Sequence, residues 1–432
     1  MTCLSYTRQA DCGVYYGVDT MTRNTDKPMS LRKNVLWNTF GSVFYQGCIW
    51  LMTVLVVRLS SDYQNSGMLA FAMSVGNIYT AIGTYTMRTY QVSDVTGRYS
   101  ASNYVALRIV TVLGGLVACG VYSLAISPSP NTLLVIGVFL LFKADEAFAN
   151  VLYGCDQVAM RLDYVGISQV SRGVICVSCF ALGLAATNNL VVALLFVFLG
   201  CILVTAFYDI PRTRALVDSL HPSISKRQCL DLLKECFPTV AGNVLGGLVV
   251  STARQYFGIT YGEAALGIYA SVATPCVIIQ VLAQNLYTPM LGPIAESYRH
   301  GNLRSARVAT FKLLALVVAL GVSALLSLSA EPLLSLIYGS TIIPYVNVLP
   351  PALLVMTGVA ASSVICDLLI VFGHLKTTLM VNGIAFGLSL LLVGPCGLNV
   401  ALIAAYAAAI AFGVVQVVWR GSQPWVEEQR TQ

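Results

Sequence analysis

Charge is what this sequence has least of. Asp, Glu, Lys and Arg make up only 10% of its 432 residues, against about 25% in an ordinary soluble domain. That shortage excludes a string of solvated globular domains, and the hydrophobic share of 57% takes its place. Histidine is nearly absent: His221, His300 and His374 lie far apart, and none falls in a catalytic pattern. There is no GxxxxGKS/T loop, no HExxH and no GxSxG, which removes P-loop nucleotide hydrolysis, zinc proteolysis and serine hydrolysis of those types. No residue pattern asks for a cofactor. The 13 cysteines are odd in number and scattered through apolar runs, so neither a disulfide framework nor a zinc site is implied. Cys176 and Cys179, one helical turn apart, read as small packing residues. The net charge of +6 does not point to nucleic acid, because no compact polar region exists to carry such a site.

What is present is a series of apolar runs, each long enough to cross a bilayer whose core needs about 20 helical residues. About twelve are expected, over 34–58, 66–88, 105–126, 132–153, 166–187, 189–209, 236–258, 266–290, 307–328, 345–371, 375–395 and 398–418. Such lengths fit helices; a barrel would show short alternating strands. The expected class is an all-α integral membrane protein. Its parts would be a tail over 1–33, a six-helix lobe over 34–209, a linker over 210–235, a second six-helix lobe over 236–418, and a tail over 419–432. Residues 1–28 carry charges of both signs and no apolar h-region, so they read as a disordered tail. Translation from Met21 or Met29 is an open alternative to Met1.

Orientation follows from the basic residues. Twenty-one of the 25 Lys and Arg fall on one side, Arg58 alone falls on the other, and Lys143, Arg172 and Arg254 lie within spans. Both termini are therefore expected in the cytoplasm. On the other side SPSPN (127–131) and TNN (187–189) are too short to hold a catalytic domain. In the 211–237 stretch, Leu230, Leu233 and Phe237 recur at helical spacing beside basic residues, which predicts an interfacial helix joining the halves. VTGRYSASNYVALR (95–108) also overlays IAESYRHGNLRSAR (294–307), matching Arg108 with Arg307, and a six-plus-six repeat fits. Repeated transporters carry their substrate between repeats.

Ionisable groups inside a span are expensive and mark a wet interior or a partner. Lys143, Glu146 and Asn150 share one face of the fourth span, while Asp145 points toward a neighbouring helix. A self-neutralising Lys143–Glu146 pair is the plainer alternative. Polar stripes also run along Asn38, Ser42 and Gln46, along Asn77, Thr84 and Arg88, along Asn243 and Arg254, and along Gln280 and Gln284. For the amides, interhelical hydrogen bonding competes with lining a cavity. Arg58 fits snorkelling to the interface. Arg172 and Arg254 each call for a bound anion or a buried carboxylate. Asp367 fits an ion pair or a coupling cation equally.

NVLWNTFGSVFYQG (34–47), TYTMRTYQVSDVTGRYS (84–100), KADEA (143–147) and RLDYVGISQVSRG (161–173) together resemble the polysaccharide and O-antigen flippases. That family belongs to the multidrug/oligosaccharidyl-lipid/polysaccharide exporter superfamily. The resemblance is clearest over 34–180. It implies a MATE-like arrangement of two six-helix lobes around a central cavity, in the inner membrane of a bacterium. It implies as cargo an oligosaccharide on polyprenyl pyrophosphate, carried to the outer leaflet without covalent chemistry. Arg88, Lys143, Arg172 and Arg254 would be the cationic contacts to the pyrophosphate, and Asn38, Gln46, Asn77, Asn150, Asn243, Gln280 and Gln284 polar cavity walls. Asp145, Glu146 and Asp367 would couple transport to a proton or sodium ion. Partners would be membrane lipids and polysaccharide assembly proteins, with no nucleic acid and no metal. A cation-coupled multidrug exporter, a membrane polymerase or glycosyltransferase, and an assembly scaffold are the competing readings.

Overall fold

The computed structural model describes residues 29–94, 97–126, 129–277, 280, 283, 330–372 and 374–421. The ninth expected span, Gln284 and the second copy of the repeat at 294–307 lie outside the described residues. Within them the chain is helical, with no strand.

In chain order the helices are α1 (Leu31–Leu59), α2 (Gln64–Thr84), α3 (Met87–Ser93), α4 (Ala101–Ile126), α5 (Pro130–Val158), α6 (Leu162–Thr187) and α7 (Leu190–Val204). A π-helical turn, Thr205–Asp209, carries α7 into α8 (Ile210–Leu216). Then come α9 (Lys226–Tyr261), α10 (Glu263–Ala273), α11 (Ala330–Tyr338), α12 (Leu349–Val371), α13 (Leu375–Cys396) and α14 (Leu398–Gly421). Eight helices among the described residues are long and apolar enough to cross a membrane. At 29 residues α5 is also long enough, but Lys143, Asp145 and Glu146 interrupt its middle.

Two compact units emerge from the packing, one of residues 1–52, 79–127 and 133–237, the other of 53–78, 128–132 and 238–432. In the first, α1 and α6 touch backbone to backbone: a Cβ on Gly41 would come within 2.6 Å of the Gly166 Cα, so neither position takes a larger side chain without moving a helix. Asn34 anchors the start of α1. Its Nδ2 donates to the carbonyls of Met29 (3.1 Å) and Met160 (2.8 Å), and its Oδ1 accepts from the Leu162 N–H at 2.8 Å. Because Asn34 is fully buried, Asn34→Ala strands these groups and is expected to cost about 1–3 kcal/mol of stability. Thermal unfolding of the purified protein in detergent reads the loss, and an unchanged transition would show that water replaces the amide.

In the second unit Arg58 donates to the carbonyls of Leu336 and Ile337, which end α11. It thus caps a helix C-terminus, where a cation is favoured, instead of reaching for the interface. Glu263, at the start of α10, accepts from Ser129 at 2.9 Å and from Thr132. Ser66 Oγ donates to the Gly267 carbonyl at 3.3 Å and shares a hydrogen bond with Ser271 at 3.2 Å.

Two expectations about single spans need correcting. The second span is not one helix: Tyr85 (φ 50°) and Thr86 (φ 52°) are both left-handed, ending α2 and restarting the chain as α3. The stretch at 226–237 is not a separate interfacial helix, because α9 runs unbroken through Pro238 to Tyr261. Leu230 and Phe237 are exposed, whereas Leu233 is half-buried against the same cluster as the fully buried Leu232, so only one residue of the predicted stripe packs.

Candidate functional site

In the first unit, four helices bring polar side chains around a cleft of about 100 Å³. From α1 come Ser42, Tyr45 and Gln46, and from α3 Arg88. Glu146, Asn150 and Tyr153 come from α5, and Gln169 and Arg172 from α6. The spacings 42/45/46, 146/150/153 and 169/172 each place side chains on one helical face. Six residues singled out from the sequence therefore meet in one place: Ser42, Gln46, Arg88, Glu146, Asn150 and Arg172.

The break in the second span delivers Arg88. A helix that ends inside a bundle leaves carbonyls without partners, and non-glycine residues persist in left-handed backbone only when their surroundings hold them there. Here the Gly83 carbonyl accepts from Arg108 Nη1 at 2.7 Å and from Thr111 Oγ1 at 2.9 Å. The redirected α3 sets the Arg88 guanidinium over the Tyr153 ring, 5.9 Å from its centroid, with Nε donating to Gln157 at 3.0 Å. Among the described residues no carboxylate pairs with Arg88.

Arg172 is arranged differently. Nη1 donates to Asp145 at 2.7 Å, and Nη2 donates to Asp209 at 3.2 Å and to Thr205; Thr205 in turn donates to Asp145 at 2.6 Å. All three charged side chains are at most 4% exposed. Two carboxylates against one guanidinium leave a net negative cluster behind the cleft, so the fork of Arg172 is already spent. Its Nε is not: like Tyr45 Oη and Gln169 Oε1, it is buried and has no hydrogen-bond partner among the described residues. All three residues line the cleft, although these particular atoms are themselves closed off from it.

Lys143 donates to Glu146 at 2.6 Å along α5, the self-neutralising geometry, with both side chains partly exposed. Such a pair contributes little to stability. Asn38 is half-buried on α1 and does not line the cleft.

The remaining candidates belong to the second unit. Arg254 is half-buried on α9, its guanidinium 6.0 Å from the Tyr269 ring and its Nε buried with no partner among the described residues. No carboxylate among the described residues pairs with it. Asn77 and Asn243 are exposed, and Gln280 and Asp367 half-buried.

Three groups in this arrangement escaped the reading of the sequence. Asp209 was placed at the end of a span; the π-helical turn swings Thr205 and Asp209 to the same side. Its signal is Pro211, whose missing N–H cannot close the helical bond to Phe207. Arg108 was counted with a cytoplasmic loop, yet it is fully buried. Tyr45 stood between two residues of the predicted stripe.

No family model matches the sequence. The capsular polysaccharide biosynthesis protein CapF of Staphylococcus aureus is similar at 24% identity over 315 residues, 71% of this chain and 77% of that protein. Among solved structures, an inward-facing multidrug resistance MATE family transporter of the MOP superfamily aligns with a TM-score of 0.66 at 14% identity. The match covers 86% of this chain and 93% of that one. The bent form of the Vibrio cholerae MATE transporter VcmN aligns with a TM-score of 0.53 at 13% identity, over 90% of this chain and 95% of its own. This chain is an all-α, multi-helix protein with the fold of the MATE transporters.

Proposed function

We propose that the chain is a flippase in the plasma membrane of a bacterium. It carries oligosaccharides linked through pyrophosphate to a polyprenol from the cytoplasmic to the outer leaflet, by alternating access and without covalent chemistry. The reading is carried by the cleft, where Arg88 has no carboxylate partner among the described residues and stands among the polar side chains of Gln46, Asn150 and Gln169. A guanidinium set among amide and hydroxyl side chains favours an occupant that brings both negative charge and hydroxyls. At about 30 Å³ of liquid per water, a 100 Å³ cleft holds about three waters. It takes a charged headgroup, while sugars and lipid tail lie outside. The similarity to a capsular polysaccharide biosynthesis protein supports this cargo.

Both termini and the 212–234 stretch face the cytoplasm in this reading. Of the three candidate carboxylates for proton or sodium coupling, Glu146 lines the cleft, Asp145 is engaged by Arg172 and Thr205, and Asp367 lies in the second unit.

A second reading, cation-coupled multidrug export, is favoured by the solved structures of the same fold. Reconstitution in liposomes separates the two. The flippase reading expects transfer of a polyprenyl-pyrophosphate oligosaccharide between leaflets, scored by a lectin that reaches only the outer one, and no efflux of ethidium. Ethidium efflux without lipid transfer would reverse the assignment.

A further inference from the structure

Arg108 is a charged side chain buried completely, at 0% exposure, on α4. Among the described residues its guanidinium donates to the Gly83 carbonyl at 2.7 Å and to Asn150 Oδ1 at 3.1 Å, and its Nε is buried with no partner there. Among the described residues no carboxylate pairs with it. A buried cation without a counter-charge is unfavourable and is retained where something repays it. Elsewhere in the same unit, the buried Arg172 has two carboxylates.

Both bonds of Arg108 run to the frame of the cleft. Gly83 carries a carbonyl released where α2 breaks, and five residues later Arg88 enters the cleft; Asn150 lines the cleft itself. The planar fork of an arginine can hold two acceptors on two different helices at fixed separation, which the compact ammonium of a lysine cannot do.

We infer that Arg108 is a positioning residue for anion binding: it fixes the broken helix and Asn150 so that Arg88 and Asn150 face a pyrophosphate group, whose charge supplies the counter-ion that Arg108 lacks. The inference rests on the reading above that the cargo carries a pyrophosphate. Arg108 does not touch the ligand; it acts through the two groups it holds.

The test uses the full chain, purified in detergent, with inorganic pyrophosphate as the probe, titrated calorimetrically beside a melting curve. Arg108→Gln is expected to bind about 10-fold more weakly or worse. Thr111→Val removes the other donor to the same carbonyl and serves as the control for a purely structural cap. It is expected to melt lower yet to bind within about 2-fold of wild type.

Arg108→Gln that binds as wild type does would reduce Arg108 to a helix cap and overturn the inference, leaving the functional reading intact. Should Arg108→Gln fail to fold, Arg108→Lys decides. A folded Arg108→Lys with about 3-fold or greater loss supports positioning, and wild-type affinity overturns it. Absence of pyrophosphate binding by the wild type would overturn the ligand class itself, and the functional reading with it.

Discussion

Arg172→Leu is expected to lower the unfolding free energy by about 3–5 kcal/mol, enough to strip the purified protein of its cooperative melting transition. The reason is what stays behind. Asp145 and Asp209 are at most 4% and 2% exposed, and both share the one guanidinium, with Thr205 beside the first and Ser168 beside the second. Without it, two buried carboxylates keep only the hydroxyls of Thr205 and Ser168, and neither hydroxyl supplies a positive charge. The triple variant Arg172→Leu/Asp145→Leu/Asp209→Leu removes the whole cluster, and replacing buried ions with apolar groups of similar size is often neutral or better. The triple variant should therefore melt closer to wild type than the single one, despite carrying more changes. Equal or greater loss in the triple variant would show that the cluster holds α5, α6 and the π-helical turn by packing rather than charge.

Much of this arrangement was legible in the sequence, and the parts that were not share a physical cause. Span lengths and the all-helical class follow from hydropathy, because in a bilayer every backbone polar group must be satisfied within its own segment. The meeting of Ser42, Gln46, Arg88, Glu146, Asn150 and Arg172 follows from their helical spacing on four elements. The break at Tyr85 and Thr86 does not. Neither residue is a helix breaker by type, and a β-branched threonine at positive φ is an outlier no propensity anticipates. What stabilises the break is Arg108, twenty-two residues further on, and a charge near an expected span end reads as a loop residue. Asp209 was lost for the opposite reason. The span was extended in register through it, whereas Pro211 forces a π-helical turn that rotates it inward. Local pattern reports which face a residue occupies only while the helix keeps its period.

The same geometry redistributes weight among the four cationic candidates. Lys143 spends its charge on Glu146 and Arg172 on two aspartates, whereas Arg88 and Arg254 have no carboxylate among the described residues. Removing Lys143 still matters to an anionic cargo, because Glu146 would then present an unpaired negative charge to the cleft. Adding Glu146→Gln to Lys143→Ala should restore what the single change removes.

Arg88→Ala is accordingly expected to reduce flipping in liposomes by about 10- to 100-fold, the equivalent of about 1.5–3 kcal/mol for a hydrogen bond to a charged group. Folding should be nearly untouched: the side chain is half-buried, makes one hydrogen bond to Gln157 and rests on the face of Tyr153. That separation of transport from stability is what marks a ligand contact, since Arg172→Leu loses both together. Arg88→Lys keeps the charge but not the fork, and a phosphate group bound through two parallel N–H donors registers the difference. Intermediate flipping by the lysine variant would therefore point to bidentate contact, and full flipping to long-range attraction alone. If Arg88→Ala carries lipid-linked oligosaccharide at the wild-type rate, the cleft in the first unit is not where the pyrophosphate sits. Arg254, which also has no carboxylate among the described residues, then becomes the residue to replace.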